Sequence, residues 1–303
     1  MAASILWWYW VVSTVGFVVA FIFYYHVPLP KQLREFLMYG KVRTKGQQNV
    51  FGRYMDVPKR WFKHFYLTSV ICNGFIFYTV VCSFFMNQTT PPWFTKLLGN
   101  VSQYPASHPT VSHTSVLIAQ CMMVFQGTRR FLECQLITKT SDSKMNFIHY
   151  LLGMTFYPAL GPTILSQGPD LSGRAPYKNV ADVLNYIEWY HILGICLFLW
   201  GSWHQYRINI IFANLRSKDV DKNTHKIPYG DWFEYVSNPH YLAEIIIYIG
   251  GAVVLGCQHT LWWWVLAFVI SNQVAAGSAY HTWYKEKFED YPAHRKIIIP
   301  WIY

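Results

Sequence analysis

Charge is what this sequence has least of. Only 13% of its residues are Asp, Glu, Lys or Arg, against about 25% in a typical soluble domain. From Ile245 to Tyr284 there is none at all. No GxGxxG and no Walker loop is present, so a nucleotide would have to be held without either fold's glycine turn. HExxH and GxSxG are missing as well, which argues against a zincin-type metal site and a nucleophile-elbow hydrolase. The six cysteines (Cys72, Cys82, Cys121, Cys134, Cys196 and Cys257) form no CxxC pair. Most lie in apolar runs and read as small buried hydrophobes, and no metal site is expected. No nucleic-acid motif accompanies the formal charge of +10, so that charge is taken as a guide to membrane topology and no nucleic-acid partner is expected.

What is abundant is apolar: 53% of the residues are hydrophobic and 19% aromatic. They gather in runs at Ile5–Tyr25, Tyr66–Met86, Thr114–Thr128, Phe147–Leu165 and Tyr186–Tyr206, and in a longer stretch after Glu244. About twenty helical residues at 1.5 Å each cross the ~30 Å of hydrocarbon in a bilayer. The last stretch is too long for one helix, and Gly256-Cys257-Gln258-His259 is its natural break. The first run fits a cleaved signal peptide poorly, because no basic residues precede it. Trp7, Trp8, Tyr9 and Trp10 are expected as an interfacial belt, and Pro158 and Pro162 should kink the fourth run or loosen its end. The expectation is an all-α integral membrane protein, a bundle of about seven transmembrane helices. It forms a single domain over 1–303 with its cofactor-binding part at about 186–303.

Loop charges orient that bundle. Residues 26–65 carry nine Lys and Arg against Glu35 and Asp56, and such an excess stays in the cytosol. The N-terminus is then lumenal and the C-terminus cytosolic. Two N-x-S/T patterns, at Asn87 and Asn100, fall in the lumenal loop that this predicts, and Asn100 is the better acceptor because Asn87 lies closer to the membrane.

The polar side chains collect at the cytosolic ends of the runs. The densest patch is His225–Glu244, HKIPYGDWFEYVSNPHYLAE, at the mouth of the uncharged stretch. It suits either an interfacial loop with aromatic anchors or a cofactor and head-group site. Arg207, Arg216, Lys226 and Arg295 could clamp phosphates from separate helix ends, or could simply follow the positive-inside rule. Arg130 and Glu133 share a helical face. Asp56, before Val57-Pro58, either caps a turn or takes part in chemistry.

Ile227-Pro228-Tyr229-Gly230-Asp231-Trp232-Phe233-Glu234-Tyr235-Val236-Ser237 resembles a block of the steroid 5α-reductase family. A second block strengthens the resemblance: Trp283-Tyr284-Lys285, Lys287-Phe288-Glu289-Asp290-Tyr291-Pro292, Arg295-Lys296 and Ile299-Pro300. Asp56-Val57-Pro58-Lys59-Arg60, Arg129-Arg130 with Glu133-Cys134, His204-Gln205-Tyr206 and Asn214-Leu215-Arg216 are most similar to the branch that acts on polyprenoids. The resemblance implies a multi-pass enzyme of the endoplasmic reticulum membrane that uses NADPH. It would saturate the α-isoprene unit of a long-chain polyprenoid on the way to dolichol, the carrier for protein N-glycosylation. It implies cofactor contacts from Arg207, Asn209, Arg216, Lys226, His240, Tyr284 and Arg295, to which Tyr235, Glu244 and His281 are added. Asp56, Gln126, Arg130 and Glu133 are the catalytic candidates.

The steroid-reducing members differ at the reaction end. They have Gln where this chain has Met55, a His-Tyr pair where it has Gln126-Gly127, Arg at Lys226 and Asn at His240. A 3-oxo-Δ4 steroid is therefore the alternative substrate. Pro239 to Glu244 also resembles a prenylcysteine methyltransferase, although S-adenosylmethionine needs no phosphate clamp. A non-catalytic lipid sensor on the same fold is a further alternative. Hydride addition to a β-carbon needs a sink for the developing negative charge, and an enal has one in its carbonyl oxygen while an allylic alcohol has none. Polyprenal, rather than polyprenol, is the expected direct substrate.

Overall fold

The apolar runs become helices, and several are capped by the polar residue just ahead of them. In the computed structural model, which describes residues 4–28, 56–138, 144–217 and 225–303, Ser4, Ser112, Asn146 and His259 each accept a backbone N–H from the following turn. These caps satisfy donors that a helix leaves open at its start. The helices are α1 (Ile5–His26), α2 (Phe62–Met86), α3 (Pro92–Ser102), α4 (His113–Leu136), α5 (Phe147–Leu165), α6 (Val180–Leu184), α7 (Trp189–Ser217), α8 (Pro239–Val254) and α9 (Thr260–Lys287). A short antiparallel ribbon joins β1 (Asp56–Pro58) to β2 (Lys144–Asn146), with Asp56 opposite Asn146. Most of the basic loop, residues 29–55 with Arg53 and Met55, lies outside the described residues.

Seven of these helices are long, and they match the seven runs. Among the described residues, Ile5–His26 and Lys59–Met86 are long and apolar enough to cross a membrane by composition alone, with hydropathies of 2.0 and 1.8. α1 displays Ile5, Trp8, Val12, Val15, Val19 and Ile22 outward, an apolar surface suited to lipid. α4 and α7 carry polar residues within them, which the site explains.

Helix α1 packs on α9, α2 lies against α4 and α5, and α7 runs along α8. The α7–α8 approach is close because small residues face each other. A Cβ on Gly250 would sit 2.8 Å from the Gly194 carbonyl oxygen and 2.9 Å from the Phe198 nitrogen. At one end of the bundle, Ser115 Oγ meets His191 Nε2 at 2.9 Å, Gln167 Nε2 donates to Thr260 Oγ1 at 2.6 Å, and Thr114 Oγ1 meets Tyr177 Oη at 2.8 Å. Those bonds gather the starts of α4, α7 and α9 with the segment after α5. The opposite end holds the candidate site.

Three expectations change. The third run does not stop at Arg129-Arg130: α4 continues to Leu136. The fifth runs on to Ser217, so Arg207, Asn209 and Arg216 stand within α7. Trp10 is no interfacial residue. It is fully buried, its Nε1 donates to Thr163 Oγ1 at 2.9 Å, and its ring lies against Phe156 and Phe268. Helix α5 carries Pro158 and Pro162 without a break. Neighbouring side chains bond its backbone there, Asn73 Nδ2 to Tyr157 O at 3.1 Å and Gln120 Nε2 to Gly161 O at 2.9 Å. The break at 256–259 is where it was expected, with Gly256 and Cys257 at φ of 63° and 58°.

Candidate active site

Arg129, Arg130 and Glu133 fall within one turn of α4, so all three point into the same wedge between α2, α7 and α8. Glu133 is 3% exposed and accepts from both arginines, Oε1 from Arg129 Nη1 and Oε2 from Arg130 Nη1. Asn209 Nδ2, from α7, adds a third bond to Oε2 at 2.7 Å. Arg129 Nη2 also donates to Gln126 Oε1 at 2.7 Å and to Gln205 Oε1. Gln126 Nε2 reaches the same Gln205 oxygen at 3.2 Å, and Gln205 Nε2 donates to Glu244 Oε2 on α8. Arg130 Nη2 donates to Tyr66 Oη on α2 at 3.1 Å, with the guanidinium 5.0 Å from that ring's centre. Two cations and two anions from α4 and α8 thus close on one another, bridged by the Gln205 and Asn209 amides of α7. That closure makes charge tolerable inside an apolar bundle.

A second arrangement joins the two sequence blocks that lie far apart along the chain. Ser237 N donates to Lys296 O at 2.8 Å, and Val236 pairs with Lys296 as an isolated parallel bridge. Asn238, 1% exposed, donates through Nδ2 to Gly277 O at 3.0 Å and Ile297 O at 3.1 Å. Tyr291 Oη donates to Ser237 Oγ, which also meets His281 Nδ1, both at 2.6 Å. Much of the motif is therefore scaffold: it seats the tail, and the tail places Arg295. That guanidinium is 2% exposed and lies between the rings of Tyr229, at 4.6 Å, and Tyr291, at 5.6 Å. Its Nη1 donates to Pro228 O at 3.0 Å, while Nε and Nη2 have no hydrogen-bond partner among the described residues. Tyr284 stacks on Tyr291 at 5.4 Å and lies within electrostatic reach of Arg295 and Arg216, and Arg216 in turn of Lys59.

A third group surrounds Asp231, whose carboxylate is buried. His204 Nδ1 is 2.7 Å from Oδ1 and Arg207 Nε 3.2 Å from Oδ2, with Arg207 about half exposed. Asp231 sits at φ 52° behind Gly230 at φ 93°. The turn lets its Oδ1 accept its neighbour Trp232's N–H at 2.8 Å while His204 stacks on the Trp232 ring at 3.9 Å.

Over residues 174–303 the chain matches the family model described as 3-oxo-5-alpha-steroid 4-dehydrogenase. Curated proteins match much more of it. Polyprenal reductase of Ailuropoda melanoleuca is 37% identical over 276 residues, covering 89% of this chain and 86% of that protein. The Homo sapiens polyprenal reductase is 36% identical with the same coverage. The one from Xenopus tropicalis is 36% identical over 92% of this chain and 90% of its own. The chain belongs to the steroid 5α-reductase family. It is a reductase, and a mostly helical one.

Of the residues expected to act in a steroid 5α-reductase family site, the structure brings Gln126, Arg130, Glu133, Asn209 and Glu244 into one network. It brings Arg216, Tyr284 and Arg295 into another. Tyr235 is 48% exposed with its ring against Trp301 at 5.7 Å, while its carbonyl accepts the Lys296 N–H. His281 is bonded within the scaffold. His240 lies against the rings of Phe212 and Tyr241, and Lys226 is exposed. Asp56 stands in the ribbon opposite Asn146, and the charged network just described does not pass through it. Sequence reasoning missed Tyr66, Arg129 and Gln205 as site residues. Arg129 and Gln205 lie in blocks that resemble the family, and Tyr66 had no signal beyond its place near the end of an apolar run. A cleft of about 90 Å³ near the start of α9, lined by residues including Ser4, Trp7, Gln167 and Thr260, holds none of these groups.

Proposed function

We propose that the protein reduces the α,β double bond of polyprenal with NADPH as hydride donor, giving the saturated aldehyde that leads to dolichol. The observation that carries this reading is its likeness to proteins named polyprenal reductase along 89% of the chain. The geometry supports it. Two orphaned N–H-bearing nitrogens on a buried guanidinium are costly, and phosphate oxygens are the acceptors that a planar fork suits. Arg295, with Arg216 and Tyr284 beside it, would hold the cofactor's phosphates, and Lys226, Arg207, Tyr235, His240 and His281 would line the approach. Bound, the cofactor supplies a hydride. Gln126, Arg130, Glu133, Asn209 and Glu244 form the preorganised polar wall against which the substrate's head group rests, Asp56 guards the substrate end, and the isoprenoid tail leaves between helices into lipid.

In this reading the single domain spans the endoplasmic reticulum membrane seven times, with its N-terminus lumenal and the charged network near the cytosol. A 3-oxo-Δ4 steroid is the second reading, favoured by the description of the matching family model. Gly127 counts against it: a Cβ there would lie 2.5 Å from Ser69 Oγ and 3.0 Å from its Cβ, so the tyrosine of the steroid enzymes has no room.

The test is anaerobic mixing of purified protein and NADPH with a short polyprenal, with polyprenol and with testosterone, following NADPH absorbance and lipid mass. Oxidation with a two-unit mass gain for polyprenal alone is expected. Turnover of testosterone in place of the aldehyde would overturn the substrate, and rapid reduction of the alcohol free of aldehyde would overturn the enal chemistry.

A further inference from the structure

Reduction of an enal needs a proton as well as a hydride, and the charged network contains few groups with a proton to give. Glu133 has both oxygens engaged as acceptors of arginine N–H groups and Glu244 accepts from Gln205. Arginine does not release a proton. That leaves phenols. Tyr66, Tyr157 and Tyr248 lie within electrostatic reach of one another and of Glu244, and the rings of Tyr66 and Tyr157 are 5.3 Å apart.

Tyr66 differs from the other two in its partner. Its oxygen accepts from Arg130 Nη2 at 3.1 Å, so the charge left on that oxygen by proton loss would face a guanidinium. Among the described residues, no acceptor takes the Tyr66 proton, although the side chain is only 5% exposed. Among the described residues Tyr248 Oη is buried without a hydrogen-bond partner, so nothing bonded to it would hold the charge left by proton loss. The placement of Tyr66 follows from packing. Ser69 fits the notch left by Gly127 on α4, so α2 lies close against α4. One turn earlier on the same face, Tyr66 reaches Arg130.

Resting on the polyprenal reading above, we propose that Tyr66 is the catalytic proton donor, acting on the substrate's carbonyl oxygen with Arg130 holding the phenolate that results. A hydride delivered to the β-carbon breaks the C=C π bond, and the electron pair moves through the α-carbon to the oxygen. The Tyr66 O–H bond breaks as the enolate oxygen takes the proton. The enol then gains a proton from water at its α-carbon and returns the oxygen proton to Tyr66, leaving the saturated aldehyde. One hydride from a reduced nicotinamide and one proton from water balance the reaction.

The test compares wild type with Tyr66→Phe and Tyr248→Phe. Positioned general acids contribute about 10²–10⁴-fold. Tyr66→Phe is therefore expected to lower kcat for polyprenal by roughly 100-fold or more, with KM within threefold and NADPH binding unchanged. Tyr248→Phe should stay within tenfold of wild type. A second readout needs no cofactor: the infrared carbonyl band of a ¹³C-labelled short polyprenal bound to wild type should lie below its position on Tyr66→Phe, because a hydrogen bond weakens the C=O bond. A wild type that reduces polyprenal, with a Tyr66→Phe variant of near-normal kcat and an unmoved carbonyl band, overturns the donor while leaving the function standing. Loss confined to Tyr248→Phe also overturns it. A wild type inactive on polyprenal removes the function and the donor together.

Discussion

Glu133 is the most consequential single side chain for stability in the charged network. It is 3% exposed and is the shared partner of two arginines whose side chains are 14% and 15% exposed. Glu133→Gln keeps the shape but removes the charge and turns one acceptor into a donor facing an arginine. Removing one partner of a buried ion pair costs about 3–5 kcal/mol. A shift of roughly 2–4 °C per kcal/mol makes the expected fall in apparent melting temperature about 10 °C. The assay is fluorescence-monitored melting of detergent-purified protein at one fixed scan rate, since membrane proteins unfold irreversibly and the midpoint depends on rate. Arg129→Met combined with Glu133→Gln should recover part of the loss, because it removes one of the two cations stranded by the first change. A Glu133→Gln protein that melts within 2 °C of wild type would refute the reasoning. It would mean that water already solvates the arginines, and that the network is a wetted cleft rather than a closed interior cluster.

Two further outcomes follow from the geometry. Arg295→Ala is expected to weaken NADPH binding by about 10–100-fold, since bonds to a charged donor are worth roughly 1.5–3 kcal/mol each. Arg295→Lys should restore little because it lacks the planar fork, and an unchanged dissociation constant from nucleotide fluorescence would contradict the assignment. Gly250→Ala should lower the melting temperature by several degrees, reflecting roughly 1–3 kcal/mol of overpacking against the Gly194 carbonyl. A neutral result would mean that α7 and α8 part without strain.

The helices were largely legible because they rest on one-dimensional signals. The apolar runs and the Gly256–His259 break carry their own punctuation, and the structure follows it. The ends of α4 and α7 were not legible. Arg129-Arg130 looks like the place where a helix leaves the membrane, and beside Glu133 on the same helix it takes Asn209, Gln205 and Glu244, from elsewhere in space, to make those charges tolerable further along. Trp10 misled for the same reason, since an aromatic cluster at a helix start fits a lipid interface equally well until Thr163 is seen beside it. At the site, charged residues stood out against an apolar background, so Arg130 and Glu133 could be paired from spacing alone. Tyr66 could not, because a tyrosine near the end of a span is common, and its meaning comes from a partner 64 residues away. The scaffolding role of His281 was equally hidden, because it depends on Ser237 and Tyr291 meeting across a long separation.

The tail that seats Arg295 has a consequence for when the enzyme can exist. A ribosome delivers residues 295–298 only after every helix from α1 to α9 has been made. Until then Asn238 lacks its Ile297 acceptor, Ser237 lacks Lys296, and the guanidinium between Tyr229 and Tyr291 is not there. In the reading proposed above, the bundle enters the membrane helix by helix, but its cofactor cradle is completed afterwards, from its last-made part backwards. A chain stopped a few residues before Arg295 would possess all of α1 to α9 and still lack the piece that locks this proposed cradle shut.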